Sequence, residues 1–193
     1  MALSNGFKKI KTAVFISGAG SNLRSLIKFS KLKKSPISID LIISDNANAK
    51  GLNYANIYKI KKKVFDLKQE SSSEKKILSE LKKYRIDLIC LAGFMKILSK
   101  QFIKSYDGKI LNIHPSLLPK YKGLNTHKRS IKNNDRYSGC TVHYVNSKLD
   151  SGKIINQKKV KINKKDTVKT LAKKILIQEH KLYPEAILKV FNL

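Results

Sequence analysis

The feature that most constrains the fold is a short apolar segment that ends in a glycine-rich turn and leads into an amphipathic helix. Residues Lys11 to Ser17 read KTAVFIS, and Gly18-Ala19-Gly20-Ser21-Asn22 follow directly. A strand, a tight turn and a helix in this order are typical of the first unit of a βαβ fold. After the turn, apolar residues recur at helical spacing and predict one buried face, formed by Leu23, Leu26, Ile27 and Leu32.

The same alternation of strands and helices continues along the chain. Ile37 to Ile43 and Asp87 to Ala92 read as strands, and the second is apolar enough to be buried on both faces, as in a parallel sheet. Between them, Val64-Phe65 mark a short strand. Ala47 to Tyr58 predicts a short helix, and Ser71-Ser72-Ser73-Glu74 predicts a helix start with a Ser as N-cap.

The carboxy-terminal part predicts a different arrangement. Cys140 to Val145 and Lys153 to Ile162 read as two strands joined by a turn, and Asp166 to Phe191 as one long helix. Thr167 lies near the start of this helix, and Pro184 is expected to kink or break it. We therefore expect one α/β domain over residues 1–193: a Rossmann-like, doubly wound, mostly parallel sheet with a carboxy-terminal antiparallel hairpin and a long final helix.

The net charge of +28, from 41 Lys and Arg against 13 Asp and Glu, is typical of nucleic-acid binding. However, only 4 of these cations are Arg, the side chain that best fits phosphates and guanine edges. The sequence also contains no helix-turn-helix, zinc-finger or aromatic RNA-binding motif. Abundant Lys, Ile and Asn favour an A/T-rich coding bias acting on a solvated surface. We expect no specific nucleic-acid partner, with a nucleic-acid-binding module as the alternative.

Apolar runs and cysteines indicate the compartment. The longest apolar run, Leu88 to Met95, is strand-sized and too short to span a membrane. Met1 to Lys11 lack the apolar centre of a signal peptide, so a cytoplasmic protein is expected. Cys90 and Cys140 are far apart and show no paired spacing, which favours two buried thiols over a disulfide or a zinc site.

Three loops are candidates for ligand binding, because ligands of doubly wound sheets bind outside the carboxyl ends of the strands. They are Gly18 to Asn22, Gly93 to Leu98 and Asn112 to Pro119. The first offers backbone N–H groups and the positive end of a helix dipole to an anion. The alternative is an ordinary strand-to-helix turn capped by Ser21.

An Asn, a His and an Asp form the candidate catalytic group. Asn112 and His114 are two residues apart at a strand end and point to the same side, and Asp150 lies in the turn between the last two strands. Asn can donate to an oxyanion, His can transfer a proton, and Asp can stabilise a charged His, as acyl transfer requires. Alternatively, these are a turn cap, a structural histidine and a hairpin turn. No nucleophile elbow is present, which favours direct transfer between two bound substrates.

Four segments and a closing motif occur in order along the chain. They are ISGAGSNL (Ile16 to Leu23), LAGFMKILS (Leu91 to Ser99), ILNIHPSLLPKYKG (Ile110 to Gly123), VHYVNSKLDSGKII (Val142 to Ile155) and the closing QEHKLYP (Gln178 to Pro184). Together they closely resemble the phosphoribosylglycinamide formyltransferase family of purine biosynthesis. The resemblance implies the formyltransferase fold and formyl transfer from 10-formyltetrahydrofolate, as co-substrate, to the amine of glycinamide ribonucleotide. It further implies a tetrahedral intermediate, no metal and no tightly bound cofactor.

The resemblance also implies roles for individual residues. The catalytic group falls on Asn112, His114 and Asp150. The folate would lie against Met95, Lys96, Ile97, Leu98 and Asn112. Supporting residues near the site would be Thr141, Asn125 and His127. The nucleotide would be bound by Gly20, Ser21, Asn22, Leu23, Arg24 and Glu179.

The chain departs from the family pattern at four places. Ala19 stands where Asn is common, Lys96 replaces a usual Arg, and Asn125 replaces a usual His. An Arg that the family uses near the folate has no clear match, and Lys68 is the nearest cation. Length and the GSNL motif disfavour two related activities, those of methionyl-tRNA formyltransferase and formyltetrahydrofolate hydrolase. We expect a monomer or homodimer whose partners are its small-molecule substrates.

Overall fold

A seven-stranded sheet forms the centre of the computed structural model, which describes residues 8–66 and 70–192. The first five strands run parallel, and the last two are antiparallel to their neighbours. The spatial order is β3-β2-β1-β4-β5-β6-β7. The strands are β1 (Ile10–Ile16), β2 (Ile37–Ser44), β3 (Lys61–Val64), β4 (Leu88–Leu91), β5 (Lys109–His114), β6 (Tyr137–Tyr144) and β7 (Ile154–Lys161).

Helices cover both faces of this sheet. Alternate residues of β1 belong to two different apolar clusters: Val14 and Ile16 to one, and Ala13 and Phe15 to the other. The first cluster includes residues of α1 and α6, and the second includes residues of α3 and α4. The helices are α1 (Ser21–Ser30), α2 (Asn53–Tyr58, preceded by a 3₁₀ turn), α3 (Glu70–Tyr84), α4 (Lys100–Ser105), α5 (Thr126–Lys132) and α6 (Val168–Val190).

The strand order reverses direction at β1 and β4, which places a crevice at their carboxyl ends. Hydrogen bonds tie together the two loops that follow these strands. The Ser17 N–H donates to the Gly93 carbonyl (3.1 Å), and the Met95 N–H donates to Ser17 Oγ (2.8 Å). The glycine-rich turn and the loop Gly93 to Leu98 therefore lie side by side.

The structure confirms the predicted fold class, with its mostly parallel sheet, its antiparallel carboxy-terminal strands and its long final helix. It also confirms Thr167 at the start of α6. The Thr167 hydroxyl accepts from the Thr170 N–H (3.2 Å), and the Thr170 hydroxyl accepts from the Thr167 N–H (2.9 Å). This reciprocal capping box satisfies backbone groups that the first helical turn leaves free.

Several local predictions were wrong. Leu32 is 59% exposed because α1 already ends at Ser30. The helix expected from Ala47 becomes regular only at Asn53. None of the three serines Ser71 to Ser73 is an N-cap, since α3 already begins at Glu70. The two short helices α4 and α5 were not predicted.

Pro184 lies inside α6 and does not end it. Proline lacks an N–H, so the carbonyl of His180, four residues earlier, has no helical donor. The Ser25 hydroxyl of α1 donates to this carbonyl instead (3.0 Å). A tertiary hydrogen bond thus compensates the helix for the missing backbone bond.

Two lysine-rich segments, Lys59 to Lys63 and Lys158 to Lys165, lie at the two edges of the sheet. β3 and β7 are the edge strands, and Lys61 and Lys62 on β3 are exposed. Cys90 and Cys140 are buried free thiols, as expected, and burial raises the pKa of each to about 12. In the part of the chain that the structure describes, no helix is long and apolar enough to cross a membrane.

We expect Gly51→Ala to destabilise the protein, because Gly51 packs against the glycine-rich turn. A methyl group there would lie 2.6 Å from Ile16 Cδ1 and 2.9 Å from Gly20 Cα. Overpacking of this kind costs about 1–3 kcal/mol, which should lower Tm by several degrees in a thermal melt. Gly18→Ala is the matched control, because its added methyl would meet nothing within 4 Å. Equal melting curves for the two variants would contradict this explanation.

Candidate active site

A cleft of about 690 Å³ opens at the carboxyl ends of the parallel strands. Its walls include residues of all three predicted loops, together with Asp150 from the turn between β6 and β7. Glu179 of α6 also lines this cleft, beside Asn22. The structure therefore brings the predicted folate and catalytic residues to one cavity, together with Asn22 and Glu179 of the predicted nucleotide residues. The other four predicted nucleotide residues do not line it: Gly20, Ser21, Leu23 and Arg24.

Asn112, His114 and Asp150 lie within direct reach of one another. Asp150 Oδ2 is 3.3 Å from His114 Nδ1, and Asp150 Oδ1 is 3.4 Å from Asn112 Nδ2. The Gly123 N–H donates to Asp150 Oδ2 (2.8 Å). Both members of the His–Asp pair have side chains only 7% exposed. The predicted constellation is thus a hydrogen-bonded group in which His114 and Asp150 have buried side chains and Asn112 is half-buried.

The surroundings of His114 act on its charge in opposite directions. Burial lowers the pKa of the imidazole, while the Tyr121 carbonyl and the Asp150 carboxylate raise it. Burial dominates, so the pKa of His114 lies below its ordinary value. His114 Nε2 lies 2.9 Å from the Tyr121 carbonyl oxygen, so both ring nitrogens face an acceptor. Two acceptors suit the doubly protonated ring, in which both nitrogens are donors. A further negative charge nearby would raise the pKa of His114 and favour this form.

Asp150 is held as an anion. Burial raises the pKa of its carboxyl group. Hydrogen bonds from His143 and the Gly123 N–H, together with the nearby His114, lower this pKa by more than burial raises it. The net pKa of Asp150 is below its ordinary value. The carboxylate is therefore available to stabilise a positive charge on His114 at neutral pH.

His143 is a residue of this site that the sequence reasoning missed. It is buried on β6 directly opposite Asn112 of β5. Its Nε2 lies 3.3 Å from Asn112 Nδ2 and 3.6 Å from Asp150 Oδ1, and its Nδ1 lies 2.8 Å from the Tyr144 carbonyl. Its position in a predicted strand was visible, but identifying it required the β5–β6 register.

The glycine-rich turn begins α1 without a side-chain cap. Gly20 is the N-cap residue, with a left-handed φ of 72°, so the alternative of a Ser21 cap is wrong. The N–H groups of Ser21, Asn22 and Leu23 lie in the first helical turn, where they lack intrahelical acceptors. Leu23 has a fully buried side chain and can offer only its backbone, whereas Arg24 is exposed.

Asn22 connects this turn to α6. Its Nδ2 donates to Glu179 Oε2 (2.7 Å), while its Oδ1 is buried without a hydrogen-bond partner in the described structure. Burial raises the pKa of Glu179, and the bond from Asn22 only partly opposes this. A ligand with hydroxyl donors would satisfy the polar atoms that this pair leaves free.

The loop after β4 presents apolar side chains to the cleft. Phe94 packs edge-on against Phe15 with ring centroids 5.4 Å apart, and Leu98 is buried. Between these anchors, Met95 and Ile97 are 64% and 66% exposed. Lys96 lies between them and also lines the cleft. Lys68, the nearest cation to the unmatched Arg, lies outside the described residues.

The three supporting residues differ in what they touch. Thr141 is fully buried, and its hydroxyl accepts from the Leu118 N–H (3.1 Å) and donates to the Ser116 carbonyl (2.6 Å). It therefore holds the loop after His114 and does not line the cleft. Asn125 is the left-handed N-cap residue of α5 (φ 59°). Asn125 and His127 both line the cleft.

Comparison with known proteins shows what this chain is similar to. Residues 10–187 match the formyl transferase family model. The phosphoribosylglycinamide formyltransferase of Haemophilus influenzae is 43% identical over 92% of this chain and 85% of its own length. The crystal structure of phosphoribosylglycinamide formyltransferase from Brucella melitensis superposes with a TM-score of 0.90, at 43% identity, over 95% of this chain and 96% of that one.

Some relatives are much longer. The trifunctional purine biosynthetic protein adenosine-3 of Gallus gallus is 44% identical over 93% of this chain. That match covers 18% of the chicken protein. The chain therefore spans 13% to 19% of the length of the trifunctional relatives that it matches.

We expect Asp150→Asn to lower the pKa of His114 further. The substitution removes a negative charge that favours the imidazolium and leaves the burial that disfavours it. An NMR titration of labelled histidine rings, assigned with a His114→Gln variant, measures this shift. Asp40→Asn is the control, since Asp40 lies on β2 and accepts from Ser38. A His114 pKa that is unchanged or higher in Asp150→Asn would contradict the assigned electrostatics.

Proposed function

Since the chain belongs to the formyl transferase family, we propose that it transfers the formyl group of 10-formyltetrahydrofolate to the amine of glycinamide ribonucleotide. The observation that carries this proposal is the hydrogen-bonded Asn112–His114–Asp150 group, which lines the same cleft as Asn22 of the glycine-rich turn. The names of relatives that match nearly the whole chain support the same reaction. The substrates themselves belong to the proposal.

The proposed chemistry is direct transfer. The substrate amine attacks the formyl carbon, the carbonyl electrons move to oxygen, and a tetrahedral intermediate forms. The bond from this carbon to the folate nitrogen then breaks, and one proton passes from the attacking amine to the leaving nitrogen. Binding both substrates in one cleft supplies much of the acceleration, because it turns a bimolecular step into an intramolecular one.

Asn112 and His114 stabilise the oxyanion in this scheme. The Asn112 amide donates to the oxyanion, and an oxyanion donor is worth about 3–4 kcal/mol in the transition state. The His114 imidazolium, whose N–H groups face Asp150 and the Tyr121 carbonyl, stabilises the oxyanion by its positive charge. Burial lowers the pKa of His114, and the negative charge that develops on the oxyanion raises it when the imidazolium is needed. Asp150 stabilises that imidazolium and helps the proton to cross between the two nitrogens.

Substrate binding uses the two ends of the cleft. The nucleotide phosphate binds the N–H groups of Ser21 to Leu23 at the start of α1, with Arg24 nearby, as anions do at helix N-termini. Glu179 accepts from the ribose hydroxyls. The folate lies against Met95 to Leu98 and Asn112. The departure at Ala19 leaves this scheme intact, because Ala19 is exposed and the cradle consists of backbone groups.

Other aspects of the protein stay predictions. The folate acts as a co-substrate that leaves after each turnover, and the scheme uses neither a metal nor a tightly bound cofactor. In the described residues, no group of three or more His, Cys, Asp or Glu side chains is arranged to hold a metal ion. A single domain over 1–193, a cytoplasmic location, a monomeric or homodimeric state and no specific nucleic-acid partner are likewise predictions.

The proposed reaction is tested by offering purified protein three acceptors with 10-formyltetrahydrofolate: glycinamide ribonucleotide, methionyl-tRNA and water alone. We expect turnover with the ribonucleotide only. Asn112→Ala should lower kcat about 10²–10³-fold, because it removes an oxyanion donor. Wild-type protein that formylates methionyl-tRNA, only hydrolyses the folate or shows no turnover would contradict the proposal.

Glu179→Gln should raise the KM for the ribonucleotide and change the KM for the folate little. The neutral amide loses charged hydrogen bonds to the ribose, each worth about 1.5–3 kcal/mol, so we expect an increase of about tenfold or more. Glu185→Gln is the matched control, because Glu185 lies on the same helix, is 47% exposed and pairs with Lys158. Equal effects of the two variants would contradict a role of Glu179 in nucleotide binding.

A further inference from the structure

The short segment Tyr121 to Gly123, which follows the loop Asn112 to Pro119, contacts both His114 and Asp150. The Tyr121 carbonyl lies 2.9 Å from His114 Nε2, and the Gly123 N–H donates to Asp150 Oδ2 (2.8 Å). These backbone groups are only two residues apart. The segment therefore supplies the acceptor for one catalytic side chain and a donor for the other.

The backbone of this segment has an uncommon conformation. Tyr121, Gly123 and Asn125 all have positive φ angles, of 56°, 74° and 59°. Glycine adopts this region freely and asparagine tolerates it, but a tyrosine occupies it at a cost. Such a conformation persists only where the surrounding structure holds it.

The side chain of Tyr121 has the contacts that such a role requires. Its hydroxyl donates to Asp135 Oδ2 (2.7 Å) and accepts from Asn133 Nδ2 (2.9 Å). The Arg129 guanidinium lies 4.9 Å from the centre of its ring and also donates to the Lys122 carbonyl (2.7 Å). We name Tyr121, Arg129, Asn133 and Asp135 the outer anchor. None of these four residues lines the cleft.

We propose that Tyr121 is a positioning residue. The contacts of its side chain within the outer anchor hold its backbone in the left-handed conformation. That conformation places the Tyr121 carbonyl on His114 Nε2 and the Gly123 N–H on Asp150. The proposal rests on the proposed function for the roles of His114 and Asp150. With Nε2 held on this carbonyl, His114 Nδ1 is directed towards Asp150 and the reacting atoms. Loss of the anchor turns the carbonyl away and removes an acceptor that favours the imidazolium.

Several charged groups around His114 contribute to its pKa. Besides the Tyr121 carbonyl, the charged or titratable groups around His114 are Asp150, His143, His127 and Arg129. Arg129 opposes a positive charge on His114, and it stays in place when only the Tyr121 hydroxyl is removed. A change in the pKa of His114 after removal of that hydroxyl therefore reports on the carbonyl and on Asp150.

Tyr121→Phe tests the proposal, because it removes both hydroxyl bonds and keeps the ring under Arg129. We expect kcat to fall about three- to tenfold, in line with the loss of one buried hydrogen bond at the reacting group, with both KM values within about twofold of wild type. We also expect the His114 pKa, measured by NMR, to fall. Tyr137→Phe is the control, since Tyr137 is exposed on β6 and has Arg136 near its ring.

A double-mutant cycle separates positioning from simple destabilisation. Tyr121→Phe removes the donor and Asp135→Ala the acceptor of the same hydrogen bond, so the double variant should lose no more kcat than Tyr121→Phe alone. An unchanged kcat and His114 pKa in a variant with lowered Tm would overturn the proposal. A raised KM at constant kcat would also overturn it, because it would place Tyr121 in substrate binding.

The two proposals fail in different ways. The pKa of His114 can be measured without turnover. A wild-type protein with no formyl transfer would therefore refute the proposed function, while a fall of the His114 pKa in Tyr121→Phe would still support the anchor.

Discussion

The site depends on the cost of burying the carboxylate of Asp150. A buried charge is tolerated only when it is paired and hydrogen-bonded. Asp150 meets this condition through His114, Asn112, His143 and the Gly123 N–H. These groups come from β5, from β6 and from the loop before α5. The antiparallel addition of β6 to a parallel sheet is what brings them together, since it sets His143 opposite Asn112 and returns the following turn over the end of β5.

The sequence predicted the layout of the site better than its internal contacts. The spacing of Asn112 and His114 at a strand end, and the glycine-rich turn before α1, follow from local rules of strand and helix geometry. His143 could not be found that way, because its role comes from a strand pairing that alternation does not specify. The errors at Leu32 and at the start of α3, and the continuation of α6 through Pro184, have a related cause. Tertiary contacts decide where a helix ends, and the Ser25 hydroxyl that supports α6 at Pro184 is 159 positions away.

The charge of +28 has little to do with the catalytic group. Within the described residues, three lysines line the cleft, Lys96, Lys128 and Lys148, and all three are exposed. Many others lie on solvated surfaces such as the edge strand β3. A positive surface of this kind attracts anionic ligands from a distance of about 8–10 Å at moderate salt. Its contribution is to the rate of encounter, and selectivity for any ligand must come from the cleft.

The two hydrogen bonds between Ser17 and the loop Gly93 to Leu98 limit how this fold can evolve. A surface loop usually accommodates insertions at small cost. Here the loop after β4 is bonded to the residue that precedes the glycine-rich turn, and both bonds use its backbone. An inserted residue near Met95 would break these two hydrogen bonds and would disturb the neighbouring glycine-rich turn as well. Changes in what this side of the cleft accepts should therefore arise by exchange of the side chains at Met95, Lys96 and Ile97, with the length of the loop conserved.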